Sequence, residues 1–333
     1  MQPVTEIPLV SVVTPVYNGE RFLRKCIESV LAQTYSRWDY TIVNNCSTDR
    51  TLEIAQEFAS RDKRIRVHSN EAFVPVNHSY NNAFRRISPE SKYCKVIAAD
   101  DWLFPECLEK MIALAEEHPS VAIVGTYALA GSHVMWEGLP FPSTRVPGRD
   151  ICRSWLLGGP YVFGSASSEL FRADIVRSRE SFYNESNLHA DSEACLEFLG
   201  DNDFGFFHQI LVFQGTQRDS LTSFSQQMNT YLPYWLYELV EYGPRYLDPE
   251  ELASRIRDVL SNYYRYLGGQ AWQRRDAEFW NYHKTKLAAA GYPLRPVRVA
   301  AAATSYAIRA MKPASRVKAV GRPLRRVFAR WRE

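Results

Sequence analysis

Two adjacent carboxylates, Asp100 and Asp101, follow the apolar run Val96-Ile97-Ala98-Ala99 in the segment VIAADDWLFPECL. At the carboxyl end of a strand such a pair is poorly solvated by its own backbone, and each charge raises the energy of the other. A divalent cation relieves that repulsion. Mg2+ or Mn2+ favours carboxylate together with phosphate oxygens and keeps some waters, so the chemistry read from the pair is a metal bridging to a diphosphate. The same residues also suit the N-cap of a helix over 105–118, and the pair alone leaves both readings open. Two polar loops, Tyr-Asn-Gly at 17–19 and Asn-Asn-Cys-Ser-Thr-Asp at 44–49, end neighbouring apolar runs and belong at the same sheet edge. Open α/β sheets bind ligands at that carboxyl edge, which favours the metal.

The elements that must position these loops alternate along residues 9–125. Strands are expected at 9–14, 40–44, 65–68, 93–98 and 121–126. Helices are expected at 21–33, 51–61, 77–87 and 105–118, with Asp49 or Ser47 capping the second. Strand–helix alternation at this period predicts a parallel sheet with right-handed crossovers. Gly and Pro over 128–160 predict loops or an irregular hairpin. Residues 161–215 read as a strand entering a helix, then a helix at HADSEACLEFL, then a strand pair in FGFFHQILVFQG. Residues 225–290 are helical in pattern and rich in aromatics.

The chain has 333 residues, 46% hydrophobic and 23% charged, which suits one large or two moderate globular domains. No run reaches the ~18 uninterrupted apolar residues of a membrane span, and the start lacks the basic region of a signal peptide, so a cytoplasmic location is the expectation. The six cysteines show no CxxC pair and read as reduced, mostly buried thiols rather than a zinc site. Charge is unevenly spread. Residues 295–333 hold eleven Lys/Arg against one Glu, so this segment carries +10 and leaves −7 for the rest of a chain whose net charge is +3.

Four segments together resemble the family 2 inverting glycosyltransferases of the GT-A fold. VSVVTPVYNGERFLRKCIESVLAQTY is similar to the family's opening strand–turn–helix. TIVNNCSTDRT stands where an Asp-Asp-Gly-Ser-Thr-Asp loop is usual. HSYNNAF falls where an Ala-Arg-Asn-x-Gly helix is expected, and VIAADDWLFPECL matches the metal-binding segment. A weaker match, HADSEACLEFL and GTQRDSLTS, extends to about residue 222. The resemblance implies a doubly wound, mostly parallel GT-A sheet over 1–222, with a nucleotide-sugar half at 1–126 and an acceptor half at 127–222. An aromatic-rich helical region (223–294) and a basic tail (295–333) follow.

The resemblance also implies roles. Pro15, Tyr17 and Glu20 would border the base and ribose of a nucleotide-sugar donor. Asn45 would face the base, while Ser47 and Asp49 shape that loop. Asp100 and Asp101 would hold the ribose and a divalent cation, Mn2+ or Mg2+. Asp191 would be the general base, a role it can share with capping a helix at 192–199. Arg218 in GTQRDSLTS is a lesser candidate, read from its own chemistry, to clamp the diphosphate once its loop closes, with an ordinary exposed loop arginine as the alternative. His189, Trp155, Tyr161 and Phe163 are secondary candidates, against bland surface or core readings. The sequence departs from the pattern at Asn44-Asn45-Cys46, at Ala98 and at Ala190. An amide both donates and accepts where a carboxylate only accepts.

The acceptor implied is a glycan or a lipid-linked molecule. The tail mixes its cations with Val317, Val320, Leu324, Val327, Phe328 and Trp331, broken by Pro313 and Pro323. It reads either as a segment lying on the cytoplasmic face of an anionic membrane or as a solvated disordered tail, and the acidic body argues against nucleic acid. The aromatic helices would form an acceptor platform or a face for a second copy. Two other functions remain open. One is a nucleotidyltransferase, although residues 13–22 lack its Gly-rich basic loop. The other is a non-catalytic nucleotide-sugar-binding protein on the same fold.

Overall fold

The computed structural model of the chain describes residues 7–141, 143–215, 221–273 and 275–310. The chain divides into two compact units. The first takes the residues up to Gln227 together with Tyr237–Arg255, and the second takes Met228–Leu236 and the residues from Ile256 onward.

The first unit is built on one ten-stranded sheet. Its amino-terminal half alternates β1 (Val10–Val16), α1 (Leu23–Leu31), β2 (Trp38–Asn44), α2 (Thr51–Arg61), β3 (Ile65–Ser69), α3 (Val76–Phe84) and β4 (Tyr93–Val96). The four strands lie in the order β3-β2-β1-β4, all parallel. The chain winds outward from β1 to β3 and then returns to β4 on the other flank, so the carboxyl ends of β1 and β4 form a topological switch point. Val10, Val12, Tyr40, Ile42, Leu23 and Ile27 are buried in the core beneath it. Helix α2 has the bounds read from the sequence, and Asp49, one residue before its cap, accepts the Thr51 amide.

The other half comprises β5 (Trp102–Leu103), α4 (Cys107–Glu117), β6 (Val121–Ala130), β7 (His133–Met135), β8 (Arg145–Val146) and α5 (Gly148–Leu156). A 3₁₀ turn (Ala166–Ser168), β9 (Leu170–Arg172), α6 (Ala173–Arg177), α7 (Ala190–Phe198) and β10 (Asp203–Gln214) follow. The sheet continues β4-β9-β6-β10-β5. β9 runs antiparallel to both β4 and β6, while β6 and β10 are parallel.

Three local expectations change. The loose stretch at 128–160 contains α5, whose Ile151, Cys152 and Leu156 are buried. The strand pair in FGFFHQILVFQG is one twelve-residue strand, bent by register shifts between Phe207 and Val212; bulges of this kind bend a strand without ending it. The helix expected at 192–199 begins at Ala190 with His189 as its cap, which places Asp191 inside the first turn.

Beyond the sheet come α8 (Leu221–Met228), α9 (Tyr231–Glu241), α10 (Gly243–Tyr246), α11 (Pro249–Trp272), α12 (Ala277–Ala289) and α13 (Pro296–Ala310). In the second unit His283 is fully buried against Phe279 and Tyr263, with the Tyr263 hydroxyl 2.6 Å from Nδ1. Among the described residues no helix is long and apolar enough to cross a membrane.

Candidate active site

The loops after β1 and β2 are laced together by hydrogen bonds that run both ways. Asn18 N donates to Ser47 Oγ (2.9 Å), Gly19 N to Thr51 Oγ1 (2.7 Å) and Glu20 N to Asp49 Oδ2 (3.1 Å). In return, Thr48 N donates to Asn18 Oδ1 (2.8 Å) and Arg50 N to Glu20 Oε2 (3.1 Å). Burial pulls the Asp49 carboxyl upward, but hydrogen bonds from Thr51 and the Glu20 amide outweigh it and hold it below its ordinary range. Asn18 and Cys46 both take left-handed backbone, with φ of 49° and 59°.

The departures at 44–46 have local explanations. Asn44 Oδ1 accepts Ser47 N (3.1 Å) and its amide nitrogen donates to Ser69 Oγ (3.3 Å). Asn45 Nδ2 donates to Val74 O (2.8 Å), while its oxygen accepts Asn70 Nδ2 (2.9 Å) and Val74 N (3.1 Å). A carboxylate at 45 could not make the first of these bonds. The Asn45 side chain therefore holds the 70–74 loop and keeps a single amide hydrogen for anything else. That loop brings Phe73 against Tyr17, with centroids 4.8 Å apart and edge to face. Both rings are exposed. Pro15 sits half-buried in β1 opposite Val43.

The acidic pair lies next to this edge. Asp101 is buried. Its Oδ1 accepts Gly215 N (2.9 Å), and Ser167 adds a side-chain hydrogen bond. Burial first, and then the neighbouring Asp100 charge, push its carboxyl up to about 7. A Cβ at Gly215 would fall 2.4 Å from Asp100 O, so β10 can approach the pair this closely only through glycine. Underneath lies Lys95, fully buried. Its Nζ donates to Ser167 O (2.6 Å) and Glu169 O (2.9 Å).

The 166–168 turn joins this pair to Asp191. Ser167 Oγ accepts Ala98 N (2.9 Å) and touches Asp101, while the Ala166 amide donates to the Asp191 carboxylate. Asp191 Oδ1 also accepts Ser192 N (2.8 Å). Burial outweighs these bonds and raises the Asp191 carboxyl above its ordinary range. The loop leading to α7 is hung from α3. Asn77 Nδ2 donates to the carbonyls of Asn184 and Asn187, and Asn81 brackets Tyr183 through its backbone N–H and C=O. The HSYNNAF segment thus positions Asp191 from more than a hundred residues away. Tyr80, from the same helix, has its phenol raised by burial and then by Asp101, Asp100 and Asp191 in turn.

The remaining candidates divide. Phe163 is fully buried core. Tyr161 OH meets Ser192 Oγ (2.6 Å), and Trp155 Nε1 is held by Glu238 (3.1 Å). His189 N is bound to Asn187 Oδ1 (3.0 Å), and Arg218 lies outside the described residues. Sequence reasoning missed Phe73, Lys95, Ser167 and Glu169. Of these, only Lys95 carried a signal, as a lone cation inside the apolar strand YCKVIA. A separate cavity of about 430 Å³ is lined by Arg179, Tyr183, Asn184, Glu193 and Glu197 among others, and by none of the candidate site residues.

Residues 11–166 match the model of "Glycosyl transferase family 2". The chain is 30% identical over 158 residues to a putative glycosyltransferase, EpsE, of Bacillus subtilis, covering 45% of this chain and 56% of the relative. It is 27% identical over 197 residues to an uncharacterized glycosyltransferase of Haemophilus influenzae, covering 55% and 58%. The chain thus spans a little over half the length of these curated relatives. Among solved structures, S. aureus TarS 1–349 in complex with UDP-GlcNAc superposes with a TM-score of 0.61 at 16% identity, over 84% of this chain and 80% of that one. The mannosyltransferase PcManGT from Pyrobaculum calidifontis, in complex with GDP-Man and Mn2+, gives 0.56 at 12% identity, over 92% and 87%. The segment 11–166, with its switch-point loops and acidic pair, belongs to glycosyl transferase family 2, and the chain carries it on a GT-A fold.

Proposed function

We propose that this chain transfers a sugar from a nucleotide-sugar donor to a hydroxyl of a glycan or lipid-linked acceptor, with inversion at the anomeric carbon. The observation that carries this reading is the 166–168 turn, whose Ser167 hydroxyl bonds Asp101 and whose Ala166 amide bonds Asp191, so that the acidic pair and the candidate base share one support beside the laced loops. Tyr17 and Phe73 offer exposed faces for the base, and Glu20 and Asn45 border it.

Inversion needs in-line attack by the acceptor oxygen, and a base must take its proton. Asp191 is held for that task by the Ala166 and Ser192 amides, and its raised carboxyl pKa makes the carboxylate a better proton acceptor. The donor set fits a hard divalent cation. Asp100 and Asp101 offer only oxygens, burial and mutual repulsion favour a cation between them, and no group of three ligating side chains occurs among the described residues. Donor phosphate oxygens and water would have to complete the shell, as Mg2+ and Mn2+ prefer. Bound there, the cation would stabilise the charge of the departing nucleoside diphosphate. Ala98 and Ala190, which stand where the family carries carboxylates, favour a second reading as a non-catalytic nucleotide-sugar-binding protein.

Donor turnover separates the two. With a panel of nucleotide sugars and Mn2+, the wild type is expected to turn over at least one, and Asp191→Asn to lose about 10²–10⁴-fold in kcat while donor affinity stays unchanged. The rate falls as pH drops through the raised Asp191 pKa, because the protonated carboxyl cannot accept a proton. Donor binding with no turnover in the wild type selects the second reading, and no nucleotide-diphosphate binding under any metal defeats both.

A further inference from the structure

The basic tail from residue 311 onward lies outside the described residues. Within them, Trp136 has no part in donor binding or proton transfer, yet its surroundings lead to Asp191. It follows directly after β7, and its backbone is left-handed, with φ of 68°. That conformation is uncommon for any residue with a side chain and strained for one this bulky. The hairpin does not require it. The turn between β6 and β7 is made at 131–132, where Gly131 supplies a φ of 60°. Strain of this kind persists only where the surroundings hold the residue in place.

Three features hold this one. Trp136 Nε1 donates to Ser168 Oγ (3.1 Å), on the same turn whose Ala166 amide donates to Asp191. Its ring meets Tyr161 edge to face, with centroids 5.4 Å apart. Two residues on, Gly138 lets the chain close onto Pro160, where a Cβ would fall 2.3 Å from the proline ring. The aromatic row then continues. Tyr161 packs edge to face on Trp155 (5.1 Å), and its hydroxyl meets Ser192 Oγ (2.6 Å), next in the chain to Asp191. Trp136, Tyr161, Trp155 and Asp191 are all half-buried rather than sealed in the core.

Half-exposed rings in a row beside a candidate base suit a ligand with apolar faces and polar edges. A pyranose is such a ligand, since its C–H faces lie on aromatic rings while its hydroxyls stay at the rim. Two carboxyl groups border the row, Glu238 at Trp155 Nε1 (3.1 Å) and Asp191 beside Ser192, and they disfavour an anionic group there. We propose that Trp136 is a binding residue for the acceptor, stacking on an uncharged pyranose whose free hydroxyl is presented to Asp191. This deepens the sugar-transfer reading and rests on it. In that reaction the hydroxyl gives its proton to Asp191 as its oxygen bonds the anomeric carbon and the nucleoside diphosphate leaves.

Saturation-transfer NMR with the methyl pyranosides of glucose, galactose, mannose and N-acetylglucosamine tests this without donor or turnover. At least one is expected to receive saturation, most strongly at the C–H protons of one ring face. Trp136→Ala should weaken that binding by about tenfold or more, and Trp136→Phe, which keeps a ring, by less. In wild-type chain labelled with 5-fluorotryptophan, the fluorine resonance missing from Trp136→Phe should shift as the pyranoside is added. With a donor that the wild type turns over, Trp136→Ala should raise the acceptor KM by a similar factor and leave the donor KM unchanged. No saturation transfer to any of the pyranosides, an unmoved Trp136 resonance, or a rise in donor KM in place of acceptor KM overturns the proposal. A chain that binds a pyranoside at Trp136 but no nucleotide sugar would keep this site and defeat sugar transfer, so the two failures are told apart.

Discussion

The two sides of the sheet edge are built from different materials. On the side of the β1 and β2 loops, the 17–20 and 44–51 segments are held by many hydrogen bonds, most of them donated by backbone N–H groups to neutral side chains and to the Glu20 and Asp49 carboxylates. On the acid side, a few buried titratable groups do the positioning. Lys95 supports the 166–168 turn, the turn reaches Asp101 and Asp191, and Glu169 sits fully buried behind them with Cys195 Sγ donating to Oε1 (3.0 Å). A redundant net tolerates some changes of residue type, where another donor can serve the same acceptor. A buried charged scaffold does not, since removing one member strands the others in low dielectric. The chain departs from the family pattern on both sides, at 44–46 and at Ala98 and Ala190, while Asp100, Asp101 and Asp191 are present.

The sharpest way to break the comparison is Lys95→Met. The side chains are of similar length, but the carbonyls of Ser167 and Glu169 lose their donor inside the core. We expect a loss of about 2–5 kcal/mol in a denaturant titration. Any donor turnover should fall with it, as the turn releases Asp101 and Asp191. Wild-type stability in this variant would mean that the acid side is as redundant as the β1 and β2 loops.

Glu169→Gln tests the same scaffold through pH. Burial, and then the Asp191 charge, hold the Glu169 carboxyl well above its ordinary range. Its folded pKa exceeds its unfolded one, so its contribution is complete below about pH 4 and is lost as pH rises through the raised value. The glutamine cannot titrate. The stability difference should therefore move in the variant's favour between pH 5 and 8, by up to about 1.4 kcal/mol per pH unit. Parallel melting curves across that range would show that Glu169 is not held protonated.

The same contrast sets what the sequence can reveal. β1 to β4 announce themselves as short apolar runs, and the acidic pair and the Asn-Asn-Cys loop are local strings at their ends. The acid-side scaffold is assembled from segments about seventy residues apart, and nothing in YCKVIA says that Lys95 will meet the carbonyls of 167 and 169. Helix α5 was hidden because Pro147 and Gly148 open it in a Pro/Gly-rich stretch. The bent β10 reads as two strands because its bulge at 207–212 breaks the alternation. β9 enters antiparallel between β4 and β6, a choice made by tertiary packing rather than by its own three residues.

In the β2 loop, Asn45→Asp restores the family residue and yet should destabilise. The carboxylate cannot donate to Val74 O, and it sets a negative charge against that carbonyl while keeping the bonds from Asn70 and Val74 N. A cost of about 1–3 kcal/mol is expected, together with faster hydrogen exchange over 70–74. Unchanged exchange would mean that Asn45 is not the residue holding that loop.

Cys46→Gly should have the smallest effect, because three terms nearly cancel. The left-handed φ of 59° costs a side-chain-bearing residue about 1 kcal/mol or a little more, which glycine avoids. Glycine also frees the unfolded chain, at a cost of about 0.4–1 kcal/mol, and removes the weak Sγ–H bond to Asn70 O (3.3 Å). The net change should fall within about 0.5 kcal/mol of zero, with any stabilisation traceable to the backbone. Cys46→Ala separates the terms, since it keeps the strain and loses the thiol bond. It should therefore be less stable than both the glycine variant and the wild type. An alanine variant matching the wild type would show that the thiol bond contributes nothing, leaving the neighbouring amides to hold the loop without it.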